Sequence, residues 1–492
     1  MVDSFQIRPG SVRGNCISRR RFLADTVRWA GTISLVSVAG SVGIPFQSSY
    51  PGLSSLAFPM GFTTADEMLL EEIEKASFLF FWEQVDPVVG VVKDRSLANS
   101  SDPRGIGSIA ATGFGLTALC IADERGWMAK KKLEQRVHTT LRFFAKRAQH
   151  QHGFFYHWMN VHTAAREFNS EISSIDTAIL LCGVLVCCAH FKDAEIRDLA
   201  TQIYERVDWP WMLNGGMQLS HGWRPETGFI PGRWDVYCEL MMIYLLGLGS
   251  STHPLPAETW ESWTRPQFEY EGERFIGSYA PLFVHQYSQA WFDFRGKRDA
   301  HADFFENSTI ATRVHKEWCL SLAKEFPDYS EDLWGITASD SAHGYAVWGG
   351  PPRMGPIDGT IVPAAAGGSL PFLPQDTLRV LRTIREQHGK RVWRRYGFVD
   401  AFNPLTGWVD PDVIGLNVGI TLLMAENART GFVWDTFMKN EEARRGMDRA
   451  GFEPGRAADH GGMEVLQMLR RATGQSLTSL RAEKDFAGEE LA

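Results

Sequence analysis

The feature of this chain that most limits its fold is an alternation of two kinds of helix-forming segment. One kind is apolar around its whole circumference: residues 108–122 (SIAATGFGLTALCIA), 173–191 (SSIDTAILLCGVLVCCAHF), 235–248 (DVYCELMMIYLLGL), 280–294 (APLFVHQYSQAWFDF) and 412–425 (DVIGLNVGITLLMA), with 360–370 (TIVPAAAGGSL) as a less regular sixth. A helix without a polar face must be enclosed by protein. The other kind has a wet side. Residues 64–83 set Asp66, Glu67, Glu71 and Glu72 against Leu69, Leu70, Ile73, Phe78 and Phe81, and residues 129–149 set Lys130, Lys131, Lys132, Glu134 and Arg136 against Leu133, Val137, Leu141 and Phe144. Residues 303–326 and 375–387 behave similarly. Strand signals are scarce after residue 60. Six enclosed helices interleaved with amphipathic ones predict an all-α fold, an (α/α)6 toroid of six inner and six outer helices. The segments entering the enclosed helices are long and rich in Gly, Pro, Trp and Asp, while those leaving are short, so a cleft is expected where the inner helices begin.

A net charge of −8 argues against nucleic acid or an anionic membrane as the main partner, since both select clustered Lys and Arg. It suits a neutral ligand. The 17 Trp and 31 Phe include aromatic faces on which sugar rings could stack, although most must be core. None of the seven cysteines forms a CxxC pair or a Cys/His spacing of the zinc type, and six of them (Cys120, Cys182, Cys187, Cys188, Cys238, Cys319) read as buried, reduced thiols. No metal and no cofactor are expected: there is no Gly-x-Ser-x-Gly elbow, phosphate loop, HExxH or strand-linked GxGxxG.

Ser18-Arg19-Arg20-Arg21-Phe22-Leu23 followed by a weakly apolar run over 29–44 reads as a twin-arginine export signal. Residues 1–50 are then a leader addressed to the twin-arginine machinery, and the protein is expected in the periplasm or secreted. The apolar run is too short and too rich in Gly and Ser to span a membrane well, and no Ala-x-Ala site follows it, which leaves a retained anchor open. The main domain is expected over 51–452. Residues 453–492 read as one further amphipathic helix, near 462–472, and a polar tail.

Glu239 is the only charge inside an otherwise apolar segment, and burying a carboxylate is costly unless its face opens on a polar cavity or meets a cation. Among apolar and aromatic groups its pKa would rise, as a general acid at neutral pH requires. Asp235, four residues earlier, would share its helix face or serve as N-cap. With Ser173 as N-cap, Asp176 falls at the third helical position of a capping box, whereas Glu171 has no capping role. Asp340, Asp358, Asp400 and Asp412 fall on later mouth segments. Asp412 reads as an N-cap. Asp400, among Phe398, Phe402 and Trp408, could be a base activating water opposite Glu239, and Asp340 and Asp358 could bind sugar hydroxyls. His285, Gln286, Trp348 and Tyr345 read as hydroxyl-binding or stacking groups, with His285 equally readable as a satisfied core histidine. The candidate catalytic set is Glu239, Asp400 and Glu171. The candidate substrate-binding set is Asp176, Trp234, Asp235, His285, Gln286, Asp340, Trp348, Asp358 and Trp408.

Several longer runs carry a family likeness: FWEQVDPVVGVVKDRS from Phe81, SIAATGFGLTAL from Ser108, EISSIDTAILL from Glu171, VDWPWML from Val207, RWDVYCELMMIYLLGLGSSTHPLP from Arg233, FVHQYSQAWFDFRG from Phe283, WGITASDS from Trp334 and FVDAFNP from Phe398. Over roughly residues 62–452 the chain resembles the glucoamylase-like (glycoamylase) family, which includes bacterial endo-β-1,2-glucanases and is related to the C-terminal region of cyclic β-1,2-glucan synthases. The resemblance implies an (α/α)6 toroid, glycan cleavage by carboxylate acid/base chemistry, no cofactor, and an acid at Glu239 within the WD…E run. It makes β-1,2-glucan the leading substrate of a glycoside hydrolase. A non-catalytic glycan-binding protein and a glucan transglycosylase are the competing readings.

Overall fold

The computed structural model describes residues 61–99, 102–278, 281–351 and 353–455. The twin-arginine segment and the helix expected near 462–472 lie outside the described residues. Most amphipathic and enclosed segments become helices close to the expected bounds. α1 (Thr64–Glu83) begins at a capping box, in which the Thr63 hydroxyl accepts from the Asp66 N–H and the Asp66 carboxylate accepts from the Thr63 N–H. There follow α2 (Ile109–Glu124), α3 (Lys130–Lys146), α4 (Ser174–His190), α5 (Ala194–Glu205), α6 (Met241–Gly249), α7 (Phe304–Ser321), α8 (Pro363–Gly367), α9 (Pro374–Thr383), α10 (Gly415–Arg429) and α11 (Glu441–Arg449).

Ser108 caps α2 and Ser173 caps α4 by accepting from the N–H three residues on. The two classes separate by burial. Every residue of α6 and α10 is buried, as is every residue of α2 up to Ala122, whereas α3 buries only a stripe from Leu133 to Ala145. α2 lies along α4 and α10, α4 reaches α6, and α10 reaches α8. The α2–α4 contact is backbone on backbone. A Cβ on Gly113 would stand 2.2 Å from the Ile179 carbonyl oxygen, and one on Gly183 would stand 2.1 Å from that of Gly113. Only glycine fits there. The half-wet helices cover this interior: α1 packs on α10, α5 on α4, and α11 on α6. Of the six cysteines read as buried thiols, all are free, and Cys188 alone is half-buried.

Three enclosed segments depart from expectation. Residues 235–240 are not helical, since Val236 bridges to Thr264 and α6 starts only at Met241, so neither Asp235 nor Glu239 lies within it. Residues 281–294 form two 3-10 turns, Leu282–His285 and Ser288–Ala290, because their polar groups are committed outward: the Gln286 amide donates to Ala365 O and Ser369 Oγ, and the Gln289 amide to Phe304 O and Ser308 Oγ. Residues 360–370 supply only the five-residue α8.

The fold is mainly helical, but short strands tie the entries of the enclosed helices together. β1 (Arg95–Leu97), β2 (Ile106–Ser108), β3 (Trp158–Asn160), β4 (Ile172–Ser173), β5 (Gly222–Arg224) and β7 (Asp412–Ile414), with β6 (Gly228–Phe229) behind β5, form a collar. β7 pairs with β1, β2 with β3, and β4 with β5, all antiparallel, with Cα partners such as Leu97 and Asp412. Single bridges, Lys93 to Gly107 and Tyr156 to Ile172, join one pair to the next. β2, β4 and β7 run directly into α2, α4 and α10. Asp412, expected as an N-cap, is therefore a strand residue, and Ile414 stands at the start of α10. Among the described residues no helix is long and apolar enough to cross a membrane.

Candidate active site

The collar gathers ionisable side chains into two connected groups. The first joins His157, Glu171 and Asp176. His157 Nδ1 lies 3.1 Å from Glu171 Oε1 and its Nε2 lies 3.5 Å from Asp176 Oδ1, while the ring stacks on Trp158 at 3.7 Å. Ser173 caps the Asp176 N–H as expected, and in place of the reciprocal backbone bond of a capping box the Ser173 hydroxyl donates to Asp176 Oδ2 over 2.5 Å. Burial works to raise the Glu171 pKa, but the hydrogen bond and charge of His157, aided by Arg224, hold it down at about 2. Glu171 is thus a permanent carboxylate, suited to orienting groups and unsuited to giving up a proton.

The second group joins Asp340, Asp400 and Asp410, whose nearest oxygens lie within 4.8 Å of one another. Asp400 is 4% exposed. Its Oδ2 accepts from the Asp340 backbone N–H at 2.9 Å and its Oδ1 from the Asn417 amide at 2.7 Å. Burial, then the charge of Asp340, push it up to about 7. Burial and the charge of Asp400 carry Asp410 to about 9, and Asp410 Oδ1 accepts from the Asp412 N–H. Asp340 reaches further out, with 13% of its side chain exposed, and Arg95 Nη1 donates to it at 2.5 Å. Burial raises its pKa too, against the pull of that guanidinium. Three carboxyls this close cannot all ionise at once, so the group shares protons. Arg104 spans Asp102 and Asp412, locking the β1 approach to β7.

Asp94 connects the two groups. It accepts from the Trp158 indole N–H at 3.4 Å, and Arg95 Nε lies 3.4 Å from its other oxygen. The result is one polar path from Asp176 through His157, Trp158, Asp94 and Arg95 to Asp340 and Asp400. Glu171, Asp176, Asp340 and Asp400 are brought together by it. Asp94, Arg95, His157, Trp158, Asp410 and Asn417 belong to the same path and were not singled out from sequence. Asp94 and Arg95 stand in the KDRS of the quoted family-like run, which was the available signal for them.

The remaining candidates divide. Glu239 is 1% exposed in the turn before α6, where its carbonyl accepts from the Ser288 hydroxyl, the same hydroxyl that caps the Met242 N–H. Asp235 is half-buried and burial raises its pKa. Trp234 is buried, its indole N–H donating to Ser174 Oγ. His285 is buried against Tyr237, whose hydroxyl lies 3.0 Å from Nδ1, and burial lowers its pKa to about 3. Gln286 ties the 3-10 turns to α8, and Trp348 is buried with its indole on Ser339. These last four bond inward to protein. Asp358 caps the Thr360 N–H, and Trp408 is half-buried on the rim.

This arrangement defines a mainly helical protein whose carboxylates collect near the start of the enclosed helices. The glycoamylase (glucoamylase) family model matches residues 231–441, which bears out the resemblance read from the motifs. The chain is 26% identical over 441 residues to an exo β-1,2-glucooligosaccharide sophorohydrolase (non-reducing end) of Parabacteroides distasonis, a match covering 81% of this chain and 59% of that protein. It therefore spans well under two thirds of that relative's length. A structure of the endo-β-1,2-glucanase of Chitinophaga pinensis, in complex with sophorotriose and glucose, superposes with a TM-score of 0.74 at 26% identity, over 80% of this chain and 99% of that one. The endo-β-1,2-glucanase of Talaromyces funiculosus, with 12% identity, a TM-score of 0.58 and coverage of 78% and 90%, shares the fold.

Proposed function

We propose that this protein is a glycoside hydrolase acting on a β-1,2-linked glucan. Helices α1–α11, with the 3-10 turns at 282–290 as the fourth inner member, form the six inner and six outer members of an (α/α)6 toroid, with the collar at the mouth. The pairwise order α6–α4–α2–α10–α8, continued by Gln286 of the 3-10 turns bonding to the α8 region, supports that closure. In this reading Glu239 protonates the leaving glycosidic oxygen. The Asp340–Asp400 pair takes the proton of the attacking water: Asp340 faces outward, and Asp400, held by Asn417 and the Asp340 N–H, stands behind it. The Asp340–Asp400–Arg95 arrangement carries the proposal, because a proton-sharing carboxyl pair, one member buried and the other facing outward beside a fixed cation, suits a base acting at neutral pH. Glu171 and Asp176, kept ionised or bonded by His157, are suited to binding sugar hydroxyls.

Incubation with linear β-1,2-glucan, alongside β-1,3-, β-1,4- and α-1,4-glucans, with the products resolved by size, tests it. Sophorose-type oligosaccharides from the β-1,2-glucan alone are the expected result. Absence of cleavage with retained binding would favour a glycan-binding protein, and longer products would favour a transglycosylase. The domain is taken to be residues 51–452 behind a twin-arginine leader over 1–50, with residues 453–492 as an appended helix and tail and the mature protein in the periplasm or outside the cell. Replacing Arg19 and Arg20 with Lys, which keeps charge but not the planar guanidinium, should then leave it in the cytoplasm.

A further inference from the structure

Phe168 stands on the collar with half of its surface in solvent. At 50% exposure it is, among the described residues, the aromatic member of the exposed large apolar set, whose other members (Met68, Val88, Leu97, Met217, Leu405) are aliphatic. Its backbone is left-handed, with φ of 53°, and so is that of Asn169 at 47°. A bulky residue in that region is a genuine outlier, and such conformations persist only where their surroundings over-determine them. Here they do. Arg166 donates from Nε to Ser170 O at 2.6 Å and from Nη2 to Asn169 O at 2.7 Å, is bound in turn by Glu226, and lies over the Tyr156 ring at 4.8 Å. The Glu167 N–H donates to Trp158 O, and the Asn160 amide to Glu167 Oε1. A loop pinned at both ends thus holds an apolar ring out in water. Ordinary folding would turn that ring inward.

The position of the ring gives the strain a purpose. Phe168 meets Trp158 edge to face at 5.7 Å and 88°. Trp158 lies on His157 and reaches Asp94, so Phe168 stands over the link between the two carboxylate groups. The Glu171–His157–Asp176 group lies just beyond Trp158, through the His157 ring stacked on it. We propose that Phe168 is a stacking platform for one pyranose ring of a neutral glucan, whose C–H face would lie on the aromatic ring while its hydroxyls meet the Glu171–His157–Asp176 group. The inference deepens the hydrolase reading and rests on it for the choice of sugar.

Phe168→Ala and Phe168→Tyr test it, with KM and kcat measured on linear β-1,2-glucan and retardation measured in gels containing each of the four glucans. The alanine variant should raise KM about 3- to 10-fold with kcat within about twofold, lose retardation and keep the wild-type melting temperature; the tyrosine variant should restore all of it. An unchanged KM for the alanine variant overturns the platform and leaves the hydrolase reading standing. A fall in kcat or in melting temperature without the KM change also overturns it, since that marks a loop-shaping role. If the wild type cleaves no glucan but is retarded, and the alanine variant is not, the platform stands and the hydrolase reading falls. No wild-type retardation by any glucan overturns the platform.

Discussion

Asp400→Asn should reverse its effect on stability between pH 3.5 and pH 8.5. A carboxyl that titrates at 3.8 when unfolded and about 7 when folded makes the native state bind the extra proton between those limits. The stability associated with it is therefore fully present below about pH 4 and lost as pH rises through 7. At about 1.4 kcal/mol per tenfold, the buried charge costs the wild type ~4 kcal/mol once ionised. No solvent screening discounts it, because the group is 4% exposed. Against this stands the loss of an acceptor. Both carboxyl oxygens take donors, from the Asp340 N–H and the Asn417 amide, and an amide offers only one oxygen. Leaving one donor facing an NH2 group costs about 1–3 kcal/mol at any pH. The variant should thus be less stable than wild type by ~1–3 kcal/mol at pH 3.5 and more stable by a similar amount at pH 8.5. Urea unfolding at both pH values reads the difference directly. Asp340 and Asp410 ionise more easily without a charged Asp400, which pushes the offset in the same direction. An offset of the same sign and size at both pH values would refute a buried, proton-sharing Asp400.

Glu239→Gln preserves shape and removes the proposed proton donor, so turnover of β-1,2-glucan should fall about 10²–10⁴-fold with the melting temperature held, and a wild-type rate would exclude this acid. Glu171, lowered from 4.5 to about 2, contributes stability above pH 4.5 that is lost as pH falls toward 2; Glu171→Gln should flatten that acid-side decline, which amounts to ~3 kcal/mol in wild-type unfolding curves. Gly113→Ala drives a Cβ into the Ile179 carbonyl 2.2 Å away and should destabilise the chain by about 1–3 kcal/mol or more by thermal unfolding, because backbone on both sides must shift.

The width of the apolar face was enough to separate α2, α4, α6 and α10 from α1, α3, α7 and α9, because burial on all sides leaves no room for charge. It was not enough to place helix starts. Asp235 and Glu239 look helical by spacing, yet the Val236–Thr264 bridge delays α6, and nothing local announces a bridge to a residue 28 positions on. The 3-10 turns at 282–290 escaped notice because apolar periodicity cannot register that Gln286 and Gln289 bond to α7 and α8. Of the site, the carboxylates were legible and their partners were not. His157 lies 14 residues from Glu171, and Arg95 lies 245 from Asp340, so their pairing follows from collar strands two or three residues long, too short to leave a period. Trp234, His285, Gln286 and Trp348 have the chemistry of ligand-binding groups, but in the structure each bonds to protein inside the wall.

The pairing of β1 with β7 has a consequence for synthesis. Residue 95 leaves the ribosome more than 300 residues before its strand partner, and Arg104 waits 308 positions for Asp412. Contacts of such long range form late and make folding slow, since the loop between them must close first. Asp400, Asp410 and Asn417 arrive on the same late segment as β7. A nascent or truncated chain lacking it has half a carboxylate cluster and an open edge at β1, a state prone to mispairing. The carboxylate cluster is thereby assembled only once residues 400–417 have been made, and it cannot arise in shorter fragments.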